Sequence, residues 1–231
     1  MTTILVTGGN RGIGLEFVTQ FLKLGFSVIT TSRKTSKSIE LLDLKDHFNN
    51  SLEILELDLL SDESIEKFGA LLGSRPIDIF VNNAGVMGPR NLELNQVSST
   101  PWLEVLRVNT IAPLILTKNI LPNILSGDEK KMFYLSSRVG SIAENTAGAM
   151  YAYRSSKAAL NRVMRSFACD VIDREIIVSV FHPGWVKTDM GGTSADIDVM
   201  TSVAGMRDTI AGLVPSDSGK FFNYDGSSLL W

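Results

Sequence analysis

The sequence predicts an α/β protein built on a doubly wound parallel sheet with helices on both faces, and three observations carry that expectation. Short apolar runs of strand length alternate with longer stretches of helical period along the chain, and parallel strands need crossover connections of that kind. The first apolar run leads straight into a glycine-rich turn and then an amphipathic stretch. No internal repeat, low-complexity tract or long linker interrupts the alternation, so a single domain over residues 1–231 is the simplest organisation.

Residues 4–7 read as a buried first strand. Ile13, Phe17, Phe21 and Leu24 then recur at helical spacing, with Gly25 where a helix commonly stops. Residues 26–31 are a second strand, 38–48 a helix of mixed charge and leucine, and 52–57 a third strand ending at Asp58. Ser61 opens a helix to about Leu72, and residues 77–81 form the fourth strand. After a polar loop, Thr100-Pro101 reads as the N-cap and first turn of a long helix reaching about Leu125, with a bend expected at Pro113. Residues 131–137 are a fifth strand, 151–173 a long helix, 176–181 a sixth strand, 199–213 a helix and 221–223 a short last strand.

Composition narrows the function classes. The chain has 231 residues, 44% of them hydrophobic, and a net charge of −3, which gives no general attraction for nucleic acid or anionic lipid. Cys169 is the only cysteine and His47 and His182 the only histidines, so neither a disulfide nor a cysteine or histidine metal cluster is expected. No uncharged stretch approaches membrane-spanning length, and Met1 runs into the first strand with no basic leader. A cytoplasmic protein without a metal, acting on a small molecule, is the expectation.

The first strand–helix junction reads Thr7-Gly8-Gly9-Asn10-Arg11-Gly12-Ile13-Gly14. Glycines there allow a tight turn and close approach of a pyrophosphate to the backbone, while the helix start aims free N–H groups at it. Tyr153 and Lys157 stand four apart on an expected helix, so their side chains are neighbours on one face. A nearby ammonium lowers the pKa of a phenol, which can then exchange a proton with an alcohol or alkoxide. Tyr151 stands six from Lys157, on another face, and reads as a lining or packing residue. Ser137, at the end of the fifth strand, would face the crevice where α/β sheets bind ligands and can polarise a substrate oxygen. Ser136 and Ser141 remain rivals for that role.

The spacing Gly8-x-x-x-Gly12-x-Gly14, with Asn82-Asn83-Ala84-Gly85 and Tyr153-x-x-x-Lys157 downstream, resembles the short-chain dehydrogenase/reductase family. The Rossmann-type form of the doubly wound sheet follows from that resemblance, which covers the whole chain. The tail from Pro183 to Trp231 is similar to the branch of C-factor signalling proteins and sniffer-like carbonyl reductases. The resemblance implies roles for particular residues. Asn109 would be a fourth catalytic residue, holding a water between Lys157 and solvent, and Lys157 would also bond the nicotinamide ribose. Gly8, Asn10, Arg11, Gly12, Ile13 and Gly14 would hold the phosphates, with Asp58 and Leu59 at the adenine. Asn83, Ala84 and Gly85 would border the cofactor. Pro183, Gly184, Val186 and Thr188 would close over the nicotinamide, the threonine bonding its carboxamide. The gap from Ser137 to Tyr153 is sixteen residues, longer than the family's commoner pattern, and implies a short insertion in residues 144–149.

Charge selects the cofactor. An acid after the second strand would bond a free ribose 2′-hydroxyl, but that strand ends Thr30-Thr31-Ser32-Arg33. Arg33 and Arg11 can clamp a 2′-phosphate instead, which favours NADP(H). The expected function is an NADPH-dependent reductase of aldehydes or ketones. An NAD-linked secondary-alcohol dehydrogenase and a dinucleotide-binding signalling protein of the C-factor type are the alternatives. Specificity is expected from residues 86–99 and 144–150 and from a lid around residues 188–212. The family's habit of pairing through helices near residues 100–125 and 151–173 leaves a homodimer or homotetramer open.

Overall fold

In the computed structural model the first apolar run becomes β1 (Thr3–Val6) and the glycine turn leads into α1 (Gly12–Lys23). The chain continues through β2 (Ser27–Ser32), α2 (Ile39–Phe48), β3 (Leu52–Glu56), α3 (Asp62–Leu72) and β4 (Ile79–Asn82). Then come α4 (Ser99–Leu106), α5 (Ala112–Leu125), β5 (Lys131–Leu135), α6 (Tyr151–Asp170), β6 (Ile177–His182), α7 (Val199–Gly212) and β7 (Phe221–Asn223). Residues 1–90 and 92–231 are described; Asn91, within the loop expected to shape specificity, lies outside them.

The strands form one seven-stranded sheet in the order β3-β2-β1-β4-β5-β6-β7, and every neighbouring pair is parallel. This is the Rossmann-type doubly wound sheet the sequence predicts. The chain order reverses between β1 and β4, where connections leave to opposite faces and open a crevice at the strands' carboxyl ends. Successive residues of each strand feed opposite cores, because side chains alternate across a sheet. Leu5, Phe80, Met132, Tyr134 and Val178 pack with Ile65 and Phe68 of α3, Leu116 and Ile120 of α5, and Leu160 and Met164 of α6. Ile4, Val6, Val81, Phe133 and Phe181 pack on the other side with Phe17 and Phe21 of α1 and Val203 and Met206 of α7.

Local chemistry explains the boundaries. Ser61 caps α3 by accepting the Ser64 N–H at 3.1 Å. At the far end of α1, Gly25 adopts φ +83°, and the Gly25 and Phe26 N–H groups bond back to Leu22 and Phe21. That pattern closes the helix through a left-handed residue, as expected from the glycine.

Three expected features are corrected. The helix before Pro113 is capped at Ser98 rather than Thr100, with Pro101 inside its first turn, where the missing N–H has no intrahelical partner to lose. The bend expected at Pro113 is a π-helical turn over Arg107–Ile111, just before it; proline has no N–H to give the carbonyl four residues back, so the ladder slips upstream. The fifth strand stops at Leu135, and Ser137 stands two residues beyond it in extended backbone, leading a short turn over Arg138–Gly140.

Candidate active site

The glycine turn lies at the switch point, and its glycines are required by close approaches. Gly8 and Gly12 sit at φ +67° and +53°, a region that favours glycine. A Cβ on Gly14 would fall 2.2 Å from the Gly8 carbonyl oxygen and 2.4 Å from Asn83 Nδ2. Asn83 locks the turn to β4, donating through Nδ2 to the carbonyls of Thr7 at 2.9 Å and Gly8 at 3.0 Å. Thr7 Oγ1 receives the N–H groups of Asn83 and Ala84, each at 3.1 Å. Arg11 is the N-cap of α1, and no side chain caps the helix, whose first turn carries no acid. The amides of Gly12, Ile13 and Gly14 therefore present an anion-binding helix start, with Asn10 half-buried beside them. A Cβ on Gly12 would meet Thr188 Cγ2 at 3.4 Å, so the segment after β6 reaches across to the turn.

At the edge of the crevice the Ser32 hydroxyl pairs with that of Ser38 at 2.8 Å, while Arg33 is exposed and forms no ion pair among the described residues. Asp58 is half-buried beyond β3, its Oδ1 accepting the Leu60 N–H at 3.0 Å, with Leu59 buried next to it. Arg11 bonds Asp189 at 2.9 Å, an exposed pair bridging the glycine turn to the segment after β6.

On the opposite side of the switch point α6 brings Tyr153 and Lys157 together under the end of β5. Both are buried, at 9% and 5% exposure, with Lys157 Nζ 5.8 Å from the centre of the Tyr153 ring. Lys157 Nζ donates to the Leu135 carbonyl at 2.8 Å, and burial pulls its pKa down to about 8. Burial pushes the Tyr153 phenol up to about 12, against opposing contributions from a hydrogen bond with the Ser137 hydroxyl and the positive charge of Arg90. The sequence expectation considers the positive charges that favour a phenolate but not the burial that opposes them. Desolvation outweighs the neighbouring charges, and a protonated tyrosine results.

The three candidate serines part company. The Ser137 hydroxyl is the one of the three that acts on the Tyr153 phenol, lowering its pKa. The Ser136 hydroxyl turns away and donates to Asn161 Oδ1 at 2.6 Å. Ser141 is spent locally, accepting the Glu144 N–H at 3.1 Å. The lengthened segment before α6 is pinned by a bond from Ala143 N–H to the Trp231 carbonyl at 3.0 Å and from Arg154 to Asn145 at 2.9 Å. It enters the helix through Ala149 and Met150 at φ +59° and +51°.

Asn109 lies in the π turn, and its side chain clamps the backbone after β4. Its Oδ1 accepts the Val86 N–H at 2.9 Å, and its Nδ2 donates to the Val86 carbonyl at 2.8 Å and Ser156 Oγ at 3.0 Å. A Cβ on Gly85 would lie 3.2 Å from Asn109 Oδ1 and 3.6 Å from Lys157 Nζ, so these groups converge on Gly85 without bonding one another directly. His182 ends β6, and burial holds its pKa down at about 4. After Pro183, Gly184 at φ +84° leaves room for Ile197, whose Cδ1 a Cβ would meet at 2.5 Å. Val186 is buried, and Thr188 Oγ1 accepts the Gly191 N–H at 3.0 Å.

The glycine hollow and the uncapped start of α1 fit a dinucleotide, and buried Asn82 Oδ1 and His182 Nδ1, both at strand ends bordering the crevice, have no partner among the described residues. Such a helix start at the switch point of a doubly wound sheet marks the dinucleotide-binding proteins as a class. The family model "short chain dehydrogenase" matches residues 2–208, and the chain belongs to that family of nicotinamide-dinucleotide oxidoreductases. The C-signal protein of Myxococcus xanthus is 41% identical over 156 residues, covering 68% of this chain and 93% of its own. The 1-hydroxy-2-glutathionyl-2-methyl-3-butene dehydrogenase of Rhodococcus sp. (strain AD45) is 32% identical over 241 residues, covering 100% of both. Among solved structures, carbonyl reductase Sniffer of D. melanogaster superimposes with a TM-score of 0.94 at 37% identity, covering 100% of both chains. The NADPH-bound carbonyl reductase from chicken fatty liver superimposes with a TM-score of 0.91 at 34% identity, covering 100% of this chain and 99% of its own. The branch suggested by the tail is the one these proteins occupy.

Sequence reasoning missed several supports. Thr7 and Gly9 shape the turn, since a Cβ on Gly9 would strike Thr30 Oγ1 at 2.0 Å. Gly140 lets the turn after Ser137 lie on α6, where a Cβ would come within 2.8 Å of the Lys157 backbone. Neither has a local signature, because the partner lies on another element. Arg90 was also unmarked, although its motif-free loop follows the quoted Asn82–Gly85 run directly.

Proposed function

We propose that this protein is an NADPH-dependent reductase of aldehyde or ketone carbonyls, with Tyr153 as the proton donor. The observation that carries the reading is the convergence of the buried Tyr153 and Lys157 side chains, with Lys157 Nζ 5.8 Å from the centre of the Tyr153 ring, beside the end of β5 that leads to Ser137. When bound, the nicotinamide supplies the hydride.

The chain's own residues divide the remaining work. Gly8, Asn10, Gly12, Ile13 and Gly14 hold the pyrophosphate, and Arg11 and Arg33 take the 2′-phosphate. Register places Glu56 opposite Ser32, one carboxylate against the cluster of Arg33, Lys34 and Lys37. Asp58 and Leu59 border the adenine, and Asn83, Ala84 and Gly85 the inner wall. Pro183, Gly184, Val186 and Thr188 position the carboxamide end. Ser137 donates to the substrate oxygen, and Tyr153, protonated at neutral pH, hands its proton to that oxygen as charge grows there. Lys157 returns the proton through solvent. Asn109 serves as a positioning residue, because its side-chain bonds to Val86 and Ser156 fix the walls around Lys157. We read residues 1–231 as one domain. Of the lid expected around residues 188–212, the part from Val199 onward is helix α7, with Val203 and Met206 in the core.

The absence of an acid after β2, with exposed Arg33 in its place, favours NADPH and reduction over the NAD-linked alternative. The C-signal relative favours a signalling reading as the second possibility. The test is NADPH oxidation across a carbonyl panel by the wild type and Tyr153→Phe. Turnover that falls at least about a thousandfold in the variant, with NADPH still bound, supports the reading. Undiminished turnover in Tyr153→Phe refutes the proton-donor assignment. NADPH binding without turnover on any carbonyl favours the signalling alternative.

A further inference from the structure

Arg90 lies in the loop after β4, and its position is not explained by cofactor binding or by the fold. Gly88, at φ +70°, lets this loop press on α4, where a Cβ would meet Val105 Cγ2 at 2.4 Å. Arg90 then reaches across the crevice and donates through Nη2 to the Met190 carbonyl on the opposite rim. That span crosses the mouth of the crevice, and the charge of Arg90 lowers the pKa of the Tyr153 phenol. Neighbouring acids are engaged elsewhere: Asp189 holds Arg11 and Glu144 faces Arg138. Among the described residues Arg90 forms no ion pair, and its Nε and Nη1 have no recorded partner. A guanidinium with donors to spare is well matched to a carboxylate, which it can grip through two parallel bonds.

We propose that Arg90 is a specificity residue that receives a carboxylate of the substrate, so that the preferred carbonyl compounds carry an anionic group beside an apolar body. The apolar part has a surface to follow, because Pro89, which precedes Arg90 in the chain, lines a cleft with Trp102, Met150, Tyr151 and Ala152, and Ala152 precedes Tyr153. This assignment rests on the reductase reading and deepens it.

The test compares 4-carboxybenzaldehyde with its methyl ester, read as the ratio of kcat/KM in the wild type and in Arg90→Gln. The acid-over-ester ratio should exceed one in the wild type and drop roughly tenfold in the variant, mostly through KM, as expected for loss of one charge-assisted contact. A ratio that stays the same overturns the assignment, whatever happens to overall activity. Arg90→Lys should recover part of the ratio; no recovery together with a lowered melting temperature would mark Arg90 as a structural clasp and overturn the assignment. If the wild type reduces neither aldehyde, the wider carbonyl panel decides the reductase reading, and calorimetric titration with benzoate separately decides Arg90. Tighter binding to the wild type than to Arg90→Gln supports the site, and equal binding removes it.

Discussion

Replacing Lys157 by methionine should remove activity while making the fold more stable at neutral pH. The unfolded lysine keeps its proton up to about pH 10.5, whereas burial lowers the folded value to about 8. Between those values the unfolded chain binds more protons, so stability rises with pH through that window. Read the other way, the lysine's contribution is complete above the unfolded value and is lost as pH falls through about 8. A gap of about 2.5 units at ~1.4 kcal/mol each places the penalty at roughly 3 kcal/mol below pH 8. Methionine fills similar volume without the charge but leaves the Leu135 carbonyl without its donor, a loss of about 1 kcal/mol. The net expectation is roughly 2 kcal/mol in favour of the variant at pH 7, read from urea unfolding. That advantage should shrink as pH rises above 8 and change sign at about pH 10, short of the unfolded value. Other groups titrate alike in both proteins and cancel in the difference. A stability difference that is flat between pH 7 and pH 10.5 would refute the assignment of a desolvated, charged Lys157.

Further expectations follow from the same geometry. Ser137→Ala should lower kcat roughly a hundredfold, as for loss of one oxyanion donor. Ser136→Ala should instead lower unfolding free energy by about 1–2 kcal/mol through its bond to Asn161, with a smaller effect on rate. Gly14→Ala should abolish NADPH fluorescence enhancement and lower the melting temperature, because the new methyl would meet the Gly8 carbonyl at 2.2 Å. Arg33→Ala combined with Arg11→Ala should weaken NADPH at least about tenfold in fluorescence titration and leave NADH nearly unmoved, since only the 2′-phosphate distinguishes them.

The parallel sheet was legible in the chain because its strands are buried on both faces and its helices carry one apolar side, patterns that local sequence states directly. The glycine turn was legible for a related reason: φ at Gly8 and Gly12 is a property of those residues themselves. The slip at Pro113 was half legible. Proline announced a defect, but the neighbouring turns determined that the ladder would yield at Arg107–Ile111.

Residue type and spacing alone thus determined the fold class, the glycine turn that opens α1, and the pairing of Tyr153 with Lys157 on one helical face. Only the tertiary structure separated Ser137 from Ser136 and Ser141, whose hydroxyls are engaged by Asn161 and by the Glu144 N–H. It also decided the protonation state of Tyr153. The sequence placed an ammonium four residues away and implied a lowered pKa, whereas the fold buries the ring and raises it to about 12. Position along a helix is a local property, but desolvation depends on everything packed around a group, and no single segment of the chain carries that information.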